Sequence, residues 1–137
     1  MRTGDRCRWR LALTIAMAIF YAGAGVLHLS APAGFLLITP SWVPWPAGVI
    51  FVTGLCELLG AAGLLIPGLR GKAGFTLALY ALCVWPANMK HAFSGIDVPG
   101  LPSSWWYHGP RLVLQPVLIW AALYAGGLID WPFRRAR

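Results

Sequence analysis

The sequence predicts an all-α membrane protein, a four-transmembrane-helix bundle with both termini cytoplasmic, and three observations support this. The 137 residues are 58% hydrophobic and 11% charged, whereas charged residues make up about 25% of an ordinary soluble domain. Four apolar stretches each approach the ~20 residues that cross a ~30 Å hydrocarbon core. The basic residues also cluster on one side of these stretches, as the positive-inside rule describes.

The four spans are predicted at residues 11–29, 47–66, 73–92 and 112–129. Because the connections are short, residues 1–137 are expected to form a single bundle with no separate soluble domain. A cleaved signal peptide is an alternative interpretation of the first span, which follows an arginine-rich start. Retention is favoured, since the apolar run is longer than a usual signal core and cleavage would place the basic ends of the remainder on opposite sides.

The charge distribution sets the predicted orientation and partner. Nine of the eleven basic residues flank the predicted cytoplasmic side, and Lys90 and Arg111 lie opposite. The net charge of +7 does not indicate nucleic acid, because the basic residues form no groove with interleaved stacking aromatics. The expected partner is therefore the lipid bilayer. Cys56 and Cys83 share a depth, so a redox pair is an alternative, but buried cysteines most often act as small hydrophobes.

Glu57 is the only glutamate in the chain and lies midway along the second apolar run. A carboxylate at the bilayer centre costs on the order of 3 kcal/mol, so such groups usually face the bundle interior, carry a proton or meet a partner. Glu57 and His28 are therefore the candidate proton-relay residues. Contact between Glu57 and Arg111 is expected only if the uncharged segment Pro32–Pro46 dips into the membrane and starts the second helix below the interface.

Further polar residues recur at helical spacing in the predicted outer half of the bundle. Asn88 and His91 are three residues apart, and Arg111 and Gln115 are four apart, so each pair presents one helix face. Together with His28 and Glu57 they predict a cavity suited to a small polar-headed molecule. The predicted binding groups are Asn88, His91, Arg111 and Gln115. A purely structural polar network is the alternative. Metal or haem ligation by His28 and His91 is a disfavoured alternative, because no i, i+4 histidine pair or other ligand spacing is present, and no metal site is predicted.

The chain resembles the DoxX family of membrane proteins between Ala22 and Trp120. The resemblance rests on five segments in order: Gly25–His28 followed by Pro32, then Ile38–Pro46, Glu57–Pro67, Pro86–Ala92 and Arg111–Pro116. It implies a four-helix protein of the bacterial cytoplasmic (inner) membrane and an association with quinone-linked redox chemistry. Carried over by position, the recurring polar sites of the family correspond to His28, Glu57, Asn88, Arg111 and Gln115.

Two functions are expected from these observations. The first is a quinone-interacting subunit of a membrane oxidoreductase, with quinone as cofactor and electrons from a separate soluble redox partner, because the chain carries no flavin, haem or iron–sulfur motif. The second is a non-enzymatic membrane component, either a proton-linked small-molecule carrier or a structural or assembly partner. No inverted repeat of the transporter kind is evident. Whether the chain is itself an enzyme, and its oligomeric state, stay open.

Overall fold

The computed structural model describes the backbone of residues 3–132 and the side chains of residues 7–132. This part of the protein is all-α, with no strand. Its five helices are α1 (Thr3–Ser30), α2 (Pro32–Ile38), α3 (Pro46–Leu65), α4 (Arg70–Phe93) and α5 (Trp105–Ala125). Several arginines used for the predicted orientation lie outside the described residues or side chains, namely Arg2, Arg6, Arg134, Arg135 and Arg137.

The predicted helical segments agree with the structure best in the middle of the chain. Both α3 and α4 lie close to the predicted segments 47–66 and 73–92. By contrast, α5 begins and ends earlier than the predicted segment 112–129, since Ser104 is extended before its first turn and Gly127 follows its end with a φ of 76°. The helix α2 was not predicted. It begins at Pro32, whose fixed φ and missing N–H suit a first helical position.

The four long helices form a ring. Along it α1 packs on α3, α3 on α4 and α4 on α5, and a smaller contact of α5 with α1 closes it. Two glycine pairs permit the closest approaches. A Cβ atom on Gly25 would lie 2.8 Å from the Gly54 carbonyl oxygen, and one on Gly74 would lie 2.7 Å from the Gly126 Cα. Small residues therefore bring the helix backbones together, as they do where helices pack without a hydrophobic driving force.

The surface of the bundle exposes many large apolar side chains. Large apolar side chains are exposed on every long helix, for example Ile19 at 68%, Leu59 at 72%, Phe75 at 59% and Val113 at 67%. The interior holds an apolar core that includes Met17, Leu64 and Leu77. It also buries polar side chains, which are Thr14, Glu57, Asn88, His91, His108 and Gln115. Two helical segments, Cys7–Ser30 and Pro46–Leu65, are long and apolar enough to cross a membrane by length and composition.

The end of the bundle that was predicted to be cytoplasmic is held by arginine contacts. Arg10 donates to the Ile129 carbonyl at 3.1 Å and pairs with the Asp130 carboxylate at 2.5 Å, while its guanidinium lies over the Tyr124 ring. On the other side, Arg70 donates to the Leu64 carbonyl at the end of α3. These bonds satisfy carbonyl oxygens that helix ends and turns leave without partners.

Candidate functional site

A cavity of about 330 Å³ lies among the helices at the end opposite Arg10. All five helices contribute to its wall, and the segment between α2 and α3 contributes Thr39, Pro40, Trp42 and Val43. Most of the lining is aliphatic or aromatic. Five of the six predicted site residues line it, namely His28, Glu57, Asn88, Arg111 and Gln115. The structure thus brings together residues that are up to 87 positions apart in the sequence.

Glu57 is buried, with 3% of its surface exposed, and meets two side chains from neighbouring helices. The Tyr80 hydroxyl donates to Glu57 Oε1 at 2.8 Å. The other oxygen, Oε2, lies 2.7 Å from His28 Nδ1. Glu57 and Arg111 form no ion pair in the described part of the chain, where the contact of Glu57 with His28 is the only ion pair of that carboxylate. In the structure the partner of Glu57 is therefore His28, and the conditional contact with Arg111 is not formed.

The contact between Glu57 and His28 allows a hydrogen atom on either the imidazole or the carboxyl group. His28 Nδ1 also lies 3.0 Å from the Ala24 carbonyl oxygen in good hydrogen-bond alignment, which leaves Glu57 Oε2 without an aligned donor. A hydrogen on Nδ1 serves the carbonyl oxygen, whereas a hydrogen on the carboxyl would donate across the 2.7 Å contact to Nδ1. Nδ1 can take part in only one of these two hydrogen bonds at a time, and its 2.7 Å distance from Oε2 is short enough for a proton to pass between the carboxyl and the imidazole.

The crossing of α1 and α3 determines where His28 lies relative to Glu57. A Cβ atom on Gly54 would be 3.0 Å from the His28 Cβ, so the absence of a side chain there lets the histidine approach α3. On its other side, the His28 ring stacks on Phe35 of α2, with centroids 3.8 Å apart. The imidazole is therefore fixed by a backbone carbonyl, a ring stack and a close helix crossing.

On the opposite wall, Arg111 is positioned by α4. Its Nη1 donates to His91 Nδ1 at 2.6 Å, and its guanidinium lies 5.6 Å from the Tyr107 ring centroid. His91 is 1% exposed and does not line the cavity. The structure therefore places His91 behind Arg111, where it orients the guanidinium, and not in the cavity wall where it was predicted to bind a ligand.

Asn88 and Gln115 complete this wall. Both side chains are buried, and Gln115 Oε1 has no hydrogen-bond partner among the described residues. Asn88 follows Pro86 on α4, and Gln115 precedes Pro116 on α5. Buried amides are normally hydrogen-bonded, and an unpartnered one calls for an explanation. Their position on a cavity wall makes them available to a bound molecule.

Lys90 explains how α2 is held over the cavity. Its Nζ donates to the Leu37 carbonyl at 3.3 Å and to the Thr39 carbonyl at 2.5 Å. Carbonyl groups at a helix C-terminus have no partner within the helix, and a lysine commonly satisfies them. The cation on α4 therefore ties the end of α2 to the bundle.

Several residues of the site were not predicted. Tyr80, the hydrogen-bond donor to Glu57, lies midway along the third apolar segment just as Glu57 lies midway along the second, and this matching depth was a usable signal. The Tyr21 ring contacts the Tyr80 ring edge-on at 6.2 Å. His108 is also buried, with its ring 4.6 Å from that of His91; nothing in its local sequence distinguishes it from an interfacial histidine.

The cysteines and the metal-ligating residues add no second site. Cys7, Cys56 and Cys83 are all free thiols, and Cys83 lines the cavity. In the described part of the chain, no group of three or more histidine, cysteine or acidic side chains could hold a metal ion.

Comparison with known families assigns the chain to one of them. The family model described as a domain of unknown function, DUF8561, matches residues 17–125, and the chain therefore belongs to the DUF8561 family. No curated protein matches significantly, and neither does any solved structure.

The predicted DoxX membership is wrong, because the family model that matches is DUF8561. The five segments used for it combine glycine, proline and apolar residues with single polar residues. Helix packing in membranes generally favours such small residues and isolated polar groups, so these segments are not specific to one family. The expected quinone cofactor and oxidoreductase activity are therefore no longer supported by a family resemblance.

Proposed function

We propose that this DUF8561 protein spans a membrane with its four long helices and binds a small lipophilic molecule, polar head inward, in the cavity between them. The observation that carries the proposal is the cavity wall itself. Glu57, His28 and Tyr80 form one polar group in the wall and Arg111, Asn88 and Gln115 another, and most of the remaining lining is apolar. Small-molecule sites have this composition, with a few placed polar groups in an apolar lining.

The membrane assignment is supported by the exposed apolar surface. Of the apolar windows in Cys7–Ser30 and Pro46–Leu65, only 28% and 44% are buried, whereas a core helix of a soluble protein is mostly covered. The exposed side chains extend to α4 and α5, for instance Phe75 and Val113. A surface of this extent needs a lipid or protein cover. In the proposed orientation, the end bearing Arg10 faces the cytoplasm and the cavity lies in the outer half of the bilayer.

The ligand class follows from the free hydrogen-bonding groups. Arg111 has donors beyond the one used by His91, and the Asn88 and Gln115 amides line the cavity with both donor and acceptor atoms, of which Gln115 Oε1 has no partner among the described residues. A head group with oxygen atoms fits this set. A quinone is one such molecule, since its carbonyl oxygens would accept from Arg111, Asn88 and Gln115, and it would supply redox chemistry with electrons from a separate soluble partner. The proposed quinone rests on this donor set alone.

Glu57 and His28 are proposed to hold and release a proton beside the ligand. The two groups lie 2.7 Å apart, within the distance for proton transfer, and the Tyr80 hydroxyl donates to the other carboxylate oxygen. A carboxyl paired with an imidazole is suited to proton transfer. This proton function is shared by the oxidoreductase and the carrier interpretations, so the cavity is compatible with both.

Binding to the full-length protein in lipid nanodiscs tests the proposal. We expect octanoate or the quinone menadione to give a saturable signal by isothermal titration calorimetry after subtraction of empty nanodiscs. Ala87 lines the cavity, so Ala87→Leu should lower the affinity by about tenfold. The control is Ala62→Leu, on the exposed face of α3. No signal above empty nanodiscs, or equal binding by the two variants, would refute a ligand cavity at this place.

A further inference from the structure

We infer that the ligand head is an anion, a carboxylate or phosphate on an apolar tail, and that Arg111 with Asn88 and Gln115 forms the subsite that binds it. This inference rests on the proposed ligand cavity and adds the charge of its occupant. It begins from Arg111, the one cationic side chain in the cavity wall.

Among the described residues, Arg111 has no acidic partner. The ion pairs in the described part of the chain are Arg10 with Asp130 and His28 with Glu57, so no carboxylate lies within 4 Å of the Arg111 guanidinium. Its hydrogen-bond acceptor is the His91 ring nitrogen, which can accept only when that nitrogen is neutral. The guanidinium is permanently charged, and a half-buried cation next to an apolar cavity is stabilised when an anion joins it.

The neighbours of Arg111 add amide groups to the same subsite. Gln115 lies one helical turn after Arg111 on α5, so the amide and the guanidinium face the same side, and Asn88 approaches from α4. A guanidinium presents a planar fork that binds carboxylate or phosphate through two parallel hydrogen bonds. The single carboxylate of the cavity, Glu57, is occupied by His28 and Tyr80, so it does not neutralise Arg111.

The remaining wall defines the tail. Residues such as Leu27, Phe35, Ile50, Val84 and Leu118 supply an apolar lining. The cavity volume of about 330 Å³ is near the lower end of the ~300–1,000 Å³ found for small-molecule sites. The proposed occupant is thus a short lipophilic anion, such as a medium-chain carboxylate or a short-tailed phosphate ester.

The test measures separately how the head-group charge and the apolar tail of a probe affect its affinity, on full-length protein in nanodiscs at pH 7. The probes are octanoate, octyl phosphate, neutral 1-octanol and menadione, and tail-free acetate and inorganic phosphate. We expect octanoate or octyl phosphate to bind about 10- to 100-fold more tightly than 1-octanol, the range typical of hydrogen bonds to a charged group. Acetate and inorganic phosphate should bind far more weakly, because they lack the tail.

Arg111→Gln should remove this preference, so that octanoate, octyl phosphate and 1-octanol bind with similar affinity, and its far-ultraviolet circular dichroism should match that of the wild type, which shows that the variant is folded. Arg111→Lys should keep part of the preference through its charge, and Arg8→Gln, which removes an exposed arginine at the other end, should change nothing. Equal binding of octanoate and 1-octanol, preference for menadione, or tight acetate binding would overturn the anionic amphiphile while leaving a ligand cavity. Loss of every probe in Arg111→Gln with no rescue in Arg111→Lys would make Arg111 structural. Wild-type protein that binds none of the probes would refute the proposed function itself.

Discussion

The crossing of α1 and α3 yields the sharpest stability prediction, because the same helix offers a matched pair of glycines. A Cβ atom added at Gly25 would lie 2.8 Å from the Gly54 carbonyl oxygen and 2.9 Å from Leu58 Cγ. Nothing lies within 4 Å of a Cβ added at Gly23. Both positions are interior to α1, so the intrinsic gain from Gly to Ala, about 0.5–1 kcal/mol, applies to both variants.

The cost at Gly25 follows from the atom that the new methyl group meets. Ordinary contact begins near 3.4 Å, so the two helices would have to separate by about 0.6 Å at this point, and a backbone carbonyl cannot rotate away as a side chain can. Overpacking of this kind costs about 1–3 kcal/mol. We therefore expect Gly25→Ala to be less stable than Gly23→Ala by about 1–3 kcal/mol, with Gly23→Ala equal to or slightly more stable than the wild type.

The assay is reversible unfolding of both variants in one detergent, followed by far-ultraviolet circular dichroism. The same separation should also weaken the contact of His28 with Glu57, since His28 lies one turn beyond Gly25 on α1. Ligand binding should therefore fall in Gly25→Ala and not in Gly23→Ala. Equal stabilities for the two variants would mean that α1 and α3 do not cross as closely as the structure places them. In that case the close crossing would not explain the position of His28 beside Glu57.

Three further measurements test the fold and the site. In a variant without its native cysteines, a cysteine at Ser103 should react with an impermeant reagent from outside the cell and one at Gly71 should not; the opposite labelling would reverse the proposed orientation. The effects of Tyr80→Phe and Glu57→Gln on the free energy of unfolding should be non-additive, with a coupling of about 0.5–3 kcal/mol in a double-mutant cycle. Additive effects would mean that the 2.8 Å hydrogen bond between these side chains does not contribute to stability. Gly74→Ala would place a Cβ 2.6 Å from a backbone carbonyl oxygen of α5 and should destabilise the protein by about 1–3 kcal/mol, and a neutral result would argue against close packing of α4 on α5.

The long helices and the meeting of polar residues could be predicted because both follow from elementary chemistry. An apolar run of about 20 residues must form its backbone hydrogen bonds internally, and this located α3 and α4 closely. A carboxylate such as Glu57 in an apolar run is stabilised only by polar groups, so polar side chains at a similar depth on other helices were its expected partners. The structure places His28, Asn88, Arg111 and Gln115 around the same cavity, although their roles stay predictions.

The specific pairing within the site could not be predicted, because it depends on rotation of the helices about their axes. Helical spacing places Arg111 and Gln115 on one face but does not say which helix that face meets. Contact between Glu57 and Tyr80 depends on the packing of α3 on α4, with Gly60 against Leu77. The short helix α2 has too few residues for a periodic pattern, and its position depends on a distant lysine. Resemblance in short segments was a weaker guide than the physical argument, as the DoxX assignment shows.

The attachment of α2 by Lys90 has a consequence for kinetics. This helix is fixed at one end by two hydrogen bonds from Lys90 and along its length by the stack of Phe35 on His28. A molecule that entered or left the cavity past α2 would have to break at least one of these attachments, and each would then contribute to the barrier. Weakening the lysine contacts would accelerate entry and exit alike, so residence time would change while the equilibrium affinity stayed the same.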